Sequence, residues 1–567
     1  MNPAGSADQR FDAWNPGIGS GIPTAFRDLE TLYRPECVRA GRGEIEAYMS
    51  LTGLPPERLA VFRPGRLVLH ELIVRITAEI AVPEGAEEEA FGKNFRRIAT
   101  IVMSHVAPHL AEIEARHEAL CRRVEDVVAG LLAAEPAPPT PPMAPRGWLS
   151  RLLGNGRSRP PEQAPPESDE QTVARFATLG EREQTPETRA IYKSLARILG
   201  AVLLTRGSLG ADRTLLQRLV RDHVGNTHGS RIVGEAIAPL LEDAIVHEGL
   251  QRAPLRDKPI LISLKGPSAA GKSSLRPMLK ALMKEHGVET DRFVTISPDI
   301  WRRLLLDFDA LGDARKYAGQ LTSREVMVID AKLDRYIRDR AQRDQRIPDI
   351  LVDRFRFDSF DSSAVARVLH RTYASFVHTM VMYFVVTPPA ATVERGWQRA
   401  LERGRYKSVE DFLGHSVEAY GGMPKIFFRW LAQPRPAYRY FFVDNRVPKG
   451  DFPKPVASGD QRRMTIVDPL VLVDIERYRR INIYARRPQD VDPPADQLAV
   501  AANMDFLLQC VRTIETVDFA TTDGDVYLRA RHGHFEIVDN GLLARQSSIP
   551  GFTEILACLP GLRLPQT

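Results

Sequence analysis

Cysteine is scarce in this chain of 567 residues: Cys37, Cys121, Cys510 and Cys558 are the only four, far apart and without paired metal-ligand spacing. That excludes a disulfide scaffold and the common zinc modules, and the four are expected as reduced, buried thiols of a cytoplasmic protein. A strong charge of either sign is missing too, since 77 Lys and Arg against 72 Asp and Glu leave only +5. Nothing in that balance favours a nucleic acid partner, so any basic site must be local. Long apolar runs are also absent. The longest stretch without Asp, Glu, Lys or Arg, Thr372 to Val393, is interrupted by His378 and Pro388-Pro389 and centres on MVMYFVV, a buried strand rather than a membrane span. The first residues, MNPAGSADQRFDAWNPGIGSG, lack the basic start and apolar run of a secretory signal. His70-Glu71 starts a metal motif that no second histidine completes, so a structural role is expected.

Proline, by contrast, is concentrated. EPAPPTPPMAPRGWLSRLLGNGRSRPPEQAPPESDE, residues 135–170, reads as an extended linker, with WLSRLL either a short docking helix or an incidental apolar patch. A chain of this length exceeds one core, and about three folded regions are expected. Residues 1–134 and 171–256 carry apolar residues at spacings of three and four and read as helical; they are candidate surfaces for a protein partner. Within the second, GNTHGS at 225–230 reads as an interhelical loop.

From 257 to 450 the pattern changes to short apolar strands alternating with helical stretches: ILISL, FVTIS, ILVD, MVMYFVV and YFFV. This is the pattern of an α/β fold with a five-stranded parallel sheet covered by helices on both faces. Residues 451–567 read as a small α+β region, with a strand and irregular structure at TIVDPLVLVDIERYRRINIY, a helix at NMDFLLQCVRTIETV and a hairpin around Arg531-His532-Gly533. His532 and His534 are expected as exposed turn residues.

The first strand runs into Gly266-Pro267-Ser268-Ala269-Ala270-Gly271-Lys272-Ser273-Ser274, a G-x-x-x-x-G-K-[ST] phosphate loop followed by a helical pattern. Glycines let backbone N–H groups wrap a polyphosphate, Lys272 reaches its β and γ phosphates, and the Ser273 hydroxyl suits Mg²⁺. Pro277 is expected in the first turn of that helix. Ligands in open α/β sheets bind at the carboxyl ends of strands, and each such end here carries polar groups. After the second strand, Asp299 can take a proton from an acceptor hydroxyl while Arg302, one turn on, grips an anionic group; the plainer reading is a helix cap and a solvated arginine. After the third, Asp353-Arg354-Phe355-Arg356 offers Asp353 for Mg²⁺. After the fourth, Arg395, Arg399 and Arg403 share one helix face, with Arg405 and Lys407 at its end. They read as a cationic lid, unless Glu394 and Glu402 merely pair with them on a solvated surface.

This order of features, with Thr387-Pro-Pro after strand four and Val443-Asp-Asn445 after strand five, resembles the zeta-toxin group of small-molecule kinases, among the adenylate-kinase-like and polynucleotide-kinase-like phosphate-loop proteins. The resemblance covers roughly Lys258 to Gly450. It implies ATP or GTP as donor, Mg²⁺, and transfer of the γ-phosphoryl group to the hydroxyl of a small-molecule acceptor, with Asp299 as base and Arg395 and Arg405 as phosphate-contacting arginines. The family usually carries Glu-Gly-Thr where this chain has Asp353-Arg354-Phe355, which speaks against UDP-N-acetylglucosamine as acceptor; related effectors of this fold phosphorylate NAD, so a dinucleotide is the alternative to a nucleotide sugar. Acceptor-side carboxylates are expected from the helix carrying Glu325 and Asp330. Two other readings share the loop: an ATPase switch that regulates a partner, for which no guanine-specifying N-K-x-D stands late in the domain, and a polynucleotide 5′-kinase.

Overall fold

The computed structural model describes residues 11–85, 89–133, 167–353 and 373–562. WLSRLL and Arg354-Phe355-Arg356 lie outside the described residues. Packing divides the chain into two units: one comprises Met1–Thr31, Leu72–His105 and Leu240–Thr567, the other Leu32–Glu71 and Val106–Pro239. Among the described residues no helix is long and apolar enough to cross a membrane.

The second unit is helical. Arg42–Thr52, Leu110–Ala133, Asp169–Arg182, Pro186–Arg206 and Arg213–Val224 bury Ile45, Leu120, Val124, Phe176, Leu195, Leu199, Leu216 and Val220. The helix at Asp169 starts inside the expected linker, because Ser168 and Gln171 form a reciprocal capping box there. GNTHGS forms no loop: a π-helical turn, Gly225–Gly229, joins the Arg213–Val224 helix directly to Ser230–His247. Its glycines let the His117 ring lie against the turn, with Nε2 3.1 Å from the Gly225 carbonyl; a Cβ on Gly229 would sit 2.8 Å from that nitrogen. His70 packs edge-on to Phe62, and Glu71 accepts from Ser230 Oγ, so both are structural.

The first unit holds a mixed ten-stranded sheet in the order β10-β9-β8-β7-β6-β5-β4-β1-β3-β2. β1 (Ile260–Lys265), β2 (Val294–Ile296), β3 (Ile350–Val352), β4 (Thr379–Val386) and β5 (Ala437–Asp444) pair in parallel, with Ile262 opposite both Leu351 and Val381. The C-terminal strands do not stand apart. β6 (Lys454–Asp460) pairs antiparallel with β5, and β7 (Arg463–Ile466), β8 (Thr516–Ala520), β9 (Val526–Arg531) and β10 (His534–Ile537) continue from it. Without them the backbone groups of β5 would face outward as an unpaired edge. The β9–β10 hairpin turns at His532 and Gly533, both with positive φ, and His532 and His534 are exposed.

Both faces of the parallel strands are covered, which is why these strands read as continuous apolar runs. Helix α1 (Lys272–Glu285) lays Leu275 and Leu279 over Ile262, Leu264, Leu351, Val385 and Val443. Other helices in this unit include α2 (Ser323–Asp344), α3 (Pro389–Arg403), α4 (Val409–Leu431), α5 (Pro469–Tyr478) and α6 (Asp505–Thr513). On the other face Phe427 of α4 packs edge-on against Phe384, Tyr440 and Phe442, and also meets Phe506 of α6. Two local expectations are corrected. Pro277 lies in the second turn of α1, because the phosphate loop occupies the chain up to Gly271; the missing N–H leaves the Ser273 carbonyl without its helical donor. The segment after β7 is helical rather than irregular, since the Asp468 side chain caps the Leu470 N–H and Pro469 fits the first helical position.

Candidate functional site

The parallel strands end at one edge, so the loops after β1 to β5 converge. The chain leaves β1 toward β2 and leaves β3 back across β1 toward β4, which opens a crevice between the ends of β1 and β3. A cavity of about 770 Å³ lies there, lined by Ser268 to Leu275, Asp299, Arg302, Asp330, Asp353, Arg395, Arg399, Arg405, Lys407, His415 and Asn445 among others. That volume suits a ligand of nucleotide size.

The loop is built tightly. A Cβ on Gly266 would stand 2.8 Å from the Val385 carbonyl, and one on Gly271 would stand 2.2 Å from Asn445 Nδ2. Gly271 also has φ +91°, a conformation that costs an L side chain about 1–2 kcal/mol. Gly271→Ala is therefore expected to weaken nucleotide binding roughly tenfold or more, read by equilibrium titration. Ala269 takes the left-handed conformation at φ 62° without being glycine, and packs in the apolar cluster that includes Trp14, Val393 and Phe412. From outside the loop, Asn445 Nδ2 and Thr387 Oγ1 both donate to the Ala270 carbonyl, at 2.6 and 3.3 Å.

Lys272 Nζ crosses the loop to the carbonyls of Gly266 and Pro267, each at 2.8 Å. Burial pushes its pKa down to about 8, against the pull of Asp353 and Asp299. Ser273 Oγ donates to Asp353 Oδ2 at 3.1 Å. A hydroxyl and a carboxylate side by side on a cavity wall are hard oxygen donors of the type Mg²⁺ takes, so the residues fit that ion. Among the described residues no group of three or more His, Cys, Asp or Glu could hold a metal.

Across the cavity Arg302 Nε and Arg405 Nη2 reach the two oxygens of Asp299, at 3.1 and 2.6 Å. Burial opposes the Asp299 charge, but Arg405 and then Arg302 hold its pKa well below the usual carboxylate range. Arg302 is itself fixed, with Nη1 donating to the Gly319 carbonyl at 2.6 Å and to Thr322 Oγ1 at 2.9 Å. Lys407 Nζ lies 3.3 Å from Ser268 Oγ and 2.9 Å from His415 Nδ1. Burial and Lys407 push His415 down to about 2, so its ring is neutral, and burial with Arg405 and Arg399 nearby pushes the Lys407 amine well below the ordinary lysine value.

The structure gathers Lys272, Ser273, Asp299, Arg302, Asp353, Arg395 and Arg405 around one space, and sets one expected residue, Glu325, apart. Arg395 directs Nη2 at the carbonyls of Asn445 and Val447, at 2.7 and 2.9 Å, so it braces the loop after β5. Asp330 lines the cavity, whereas Glu325 is fully buried and outside its lining. Of the two carboxylates expected to pair with the α3 arginines, Glu402 meets Arg403 at 3.9 Å and Lys449 at 3.0 Å, while Glu394 accepts from Trp14 Nε1. Trp14, Glu84, Arg276 and His415 were not singled out by sequence. His415 follows Lys407 within the lid segment and could have been; the others carry no local signal.

The chemistry of this edge agrees with sequence comparison, in which residues 246–425 match the family model described as Zeta toxin. That segment is similar to the zeta toxin family. No curated protein matches the chain. Solved structures similar to it include the native AvrRxo1-ORF1:-ORF2 complex, at 16% identity over 38% of this chain and 63% of that one, TM-score 0.28. The same complex with ATP gives 18% identity, the same coverage and a TM-score of 0.30. A structure of the PezAT chromosomal toxin–antitoxin system of Streptococcus pneumoniae gives 11% identity over 55% of this chain and 82% of that one, TM-score 0.21. The chain thus spans less than two thirds of the AvrRxo1-ORF1:-ORF2 chains.

Proposed function

We propose that the zeta-toxin-like segment is an ATP- or GTP-dependent phosphotransferase that moves the γ-phosphoryl group to a hydroxyl of a small-molecule acceptor. The observation that carries this reading is the meeting of Lys272, Asp299 and Arg405 in one cavity at the ends of β1, β2 and the α3 segment. The loop N–H groups and Lys272 bind the donor phosphates. Ser273 and Asp353 would hold Mg²⁺, which when bound neutralises phosphate charge. Asp299 accepts the acceptor hydroxyl proton once Arg405 shifts from it to the transferring group, and Arg399 adds positive charge on the same side. Arg302 keeps Asp299 aimed. A nucleotide sugar or an NAD-like dinucleotide fits a cavity with this many cations on its wall.

The test is incubation of the full chain with γ-labelled ATP and a metabolite extract, followed by mass identification of labelled products. A labelled small molecule from wild type and none from Lys272→Ala is the expected result. Release of inorganic phosphate with no labelled acceptor would instead support the ATPase-switch reading.

A further inference from the structure

Behind Asp353 lies a buried charge network that reaches far outside the matched family segment. Arg276, on the first turns of α1, is 2% exposed. Its guanidinium lies over the Phe91 ring, 4.6 Å from the centroid. Its Nη1 reaches Asp353 Oδ2 at 3.4 Å, the same oxygen that accepts from Ser273, while Nε donates to Glu84 Oε2 at 2.8 Å. The other Glu84 oxygen takes Lys280 Nζ at 3.1 Å and Thr295 Oγ1 at 3.3 Å, and Lys280 in turn donates to Thr295 at 3.1 Å. The shorter contact of Arg276 is with Glu84, and the longer one with Asp353.

Two cations and two carboxylates share this space, and Glu84 holds both cations. Were its charge removed, Arg276 would have Asp353 as its remaining carboxylate in this network and would close on it, because an uncompensated buried cation is costly. The Asp353 oxygens would then be committed to a guanidinium rather than available to a divalent ion.

We infer that Glu84 is a positioning residue of the phosphotransferase site, which holds Arg276 back so that Asp353 and Ser273 stay available to Mg²⁺. The inference rests on the proposed phosphotransferase function and deepens it: a residue far upstream of the zeta toxin segment sets that segment's metal requirement. Its action is relayed through Arg276, so charge balance matters more than the presence of a carboxylate at position 84.

The experiment is equilibrium binding of ATP to the full chain, in EDTA and across a Mg²⁺ titration, for wild type, Glu84→Gln, Arg276→Met and the double variant, with thermal melts alongside. Glu84→Gln is expected to raise the Mg²⁺ concentration that half-maximally strengthens ATP binding by about tenfold, while leaving affinity in EDTA within about twofold. The double variant is expected to return the Mg²⁺ response to near wild type, since Lys280 and Asp353 then balance. Arg276→Met alone, which serves if Glu84→Gln does not fold, is expected to leave the Mg²⁺ requirement unchanged or lower. A Mg²⁺ response unmoved in folded Glu84→Gln, an equal loss of affinity in EDTA, or a raised requirement in Arg276→Met overturns the inference alone. A wild type that binds no nucleotide overturns the phosphotransferase reading and this inference with it.

Discussion

Lys272→Met is expected to lower phosphotransfer by roughly 10³-fold, because it removes a preorganised cation aimed at charge that grows as the γ-phosphoryl group leaves. The methionine matches the lysine stem, so the loop keeps its packing; what it loses is the ammonium held between the Gly266 and Pro267 carbonyls. A second observable separates this charge from simple folding. Since burial holds the Lys272 pKa near 8, the free protein loses this cation as pH rises through that value. A bound polyphosphate favours the charged form and raises the pKa. ATP binding above pH 8 must then take up a proton, and affinity is expected to fall by up to about tenfold per pH unit there, until the pKa of the complex is reached. Lys272→Met removes that pH dependence. Binding measured at pH 7, 8 and 9 for both proteins checks it, and a flat wild-type profile would count against the buried, poised lysine.

Much of this edge was legible because its determinants are local. A strand followed by Gly266 to Ser274 and a helix is dictated by neighbouring residues, and the same holds for Asp299 and Asp353, which sit one residue or a few past short apolar runs. What sequence could not supply was partnership across the chain. Arg395 has the periodicity of a lid arginine and lines the cavity, but nothing in that spacing announces the bonds of its Nη2 to the carbonyls of Asn445 and Val447. Trp14 meets Glu394 across 380 positions, and Glu84 meets Arg276 across 192, with no spacing rule to announce either. The C-terminal strands had the right alternation, but alternation does not say which sheet a strand joins, and the unsatisfied edge of β5 decided it. Helix α5 shows the opposite failure: the Asp468-Pro469 start was present in the sequence, and the apolar LVLV that follows reads equally as a strand.

Asp299→Asn is expected to reduce transfer by about 10²–10⁴-fold while ATP binding survives, because the side chain loses only its ability to take a proton. The structure adds a condition to this role. A carboxylate held 2.6 Å from Arg405 and 3.1 Å from Arg302, with its pKa far below the usual range, is a weak base as it stands. It becomes a useful one only when Arg405 leaves it, and the charge that would draw Arg405 away is the transferring phosphoryl group. The proposed mechanism thus couples donor binding to base activation through one arginine, whose contact with Asp299 keeps that carboxylate a weak base until the donor binds. Arg405→Met breaks the coupling. With that cation gone the Asp299 pKa rises toward the ordinary carboxylate value, since burial then meets less opposition. Because the base works only when ionised, activity is lost as pH falls through that pKa, so the acid limb of the kcat/KM profile, which reports the free protein, is expected to move to higher pH in Arg405→Met than in wild type. The rate of the variant at its plateau falls as well, for want of the cation on the phosphoryl group. A kcat/KM acid limb at the same pH in both proteins would mean that Arg405 does not govern Asp299 in the free protein.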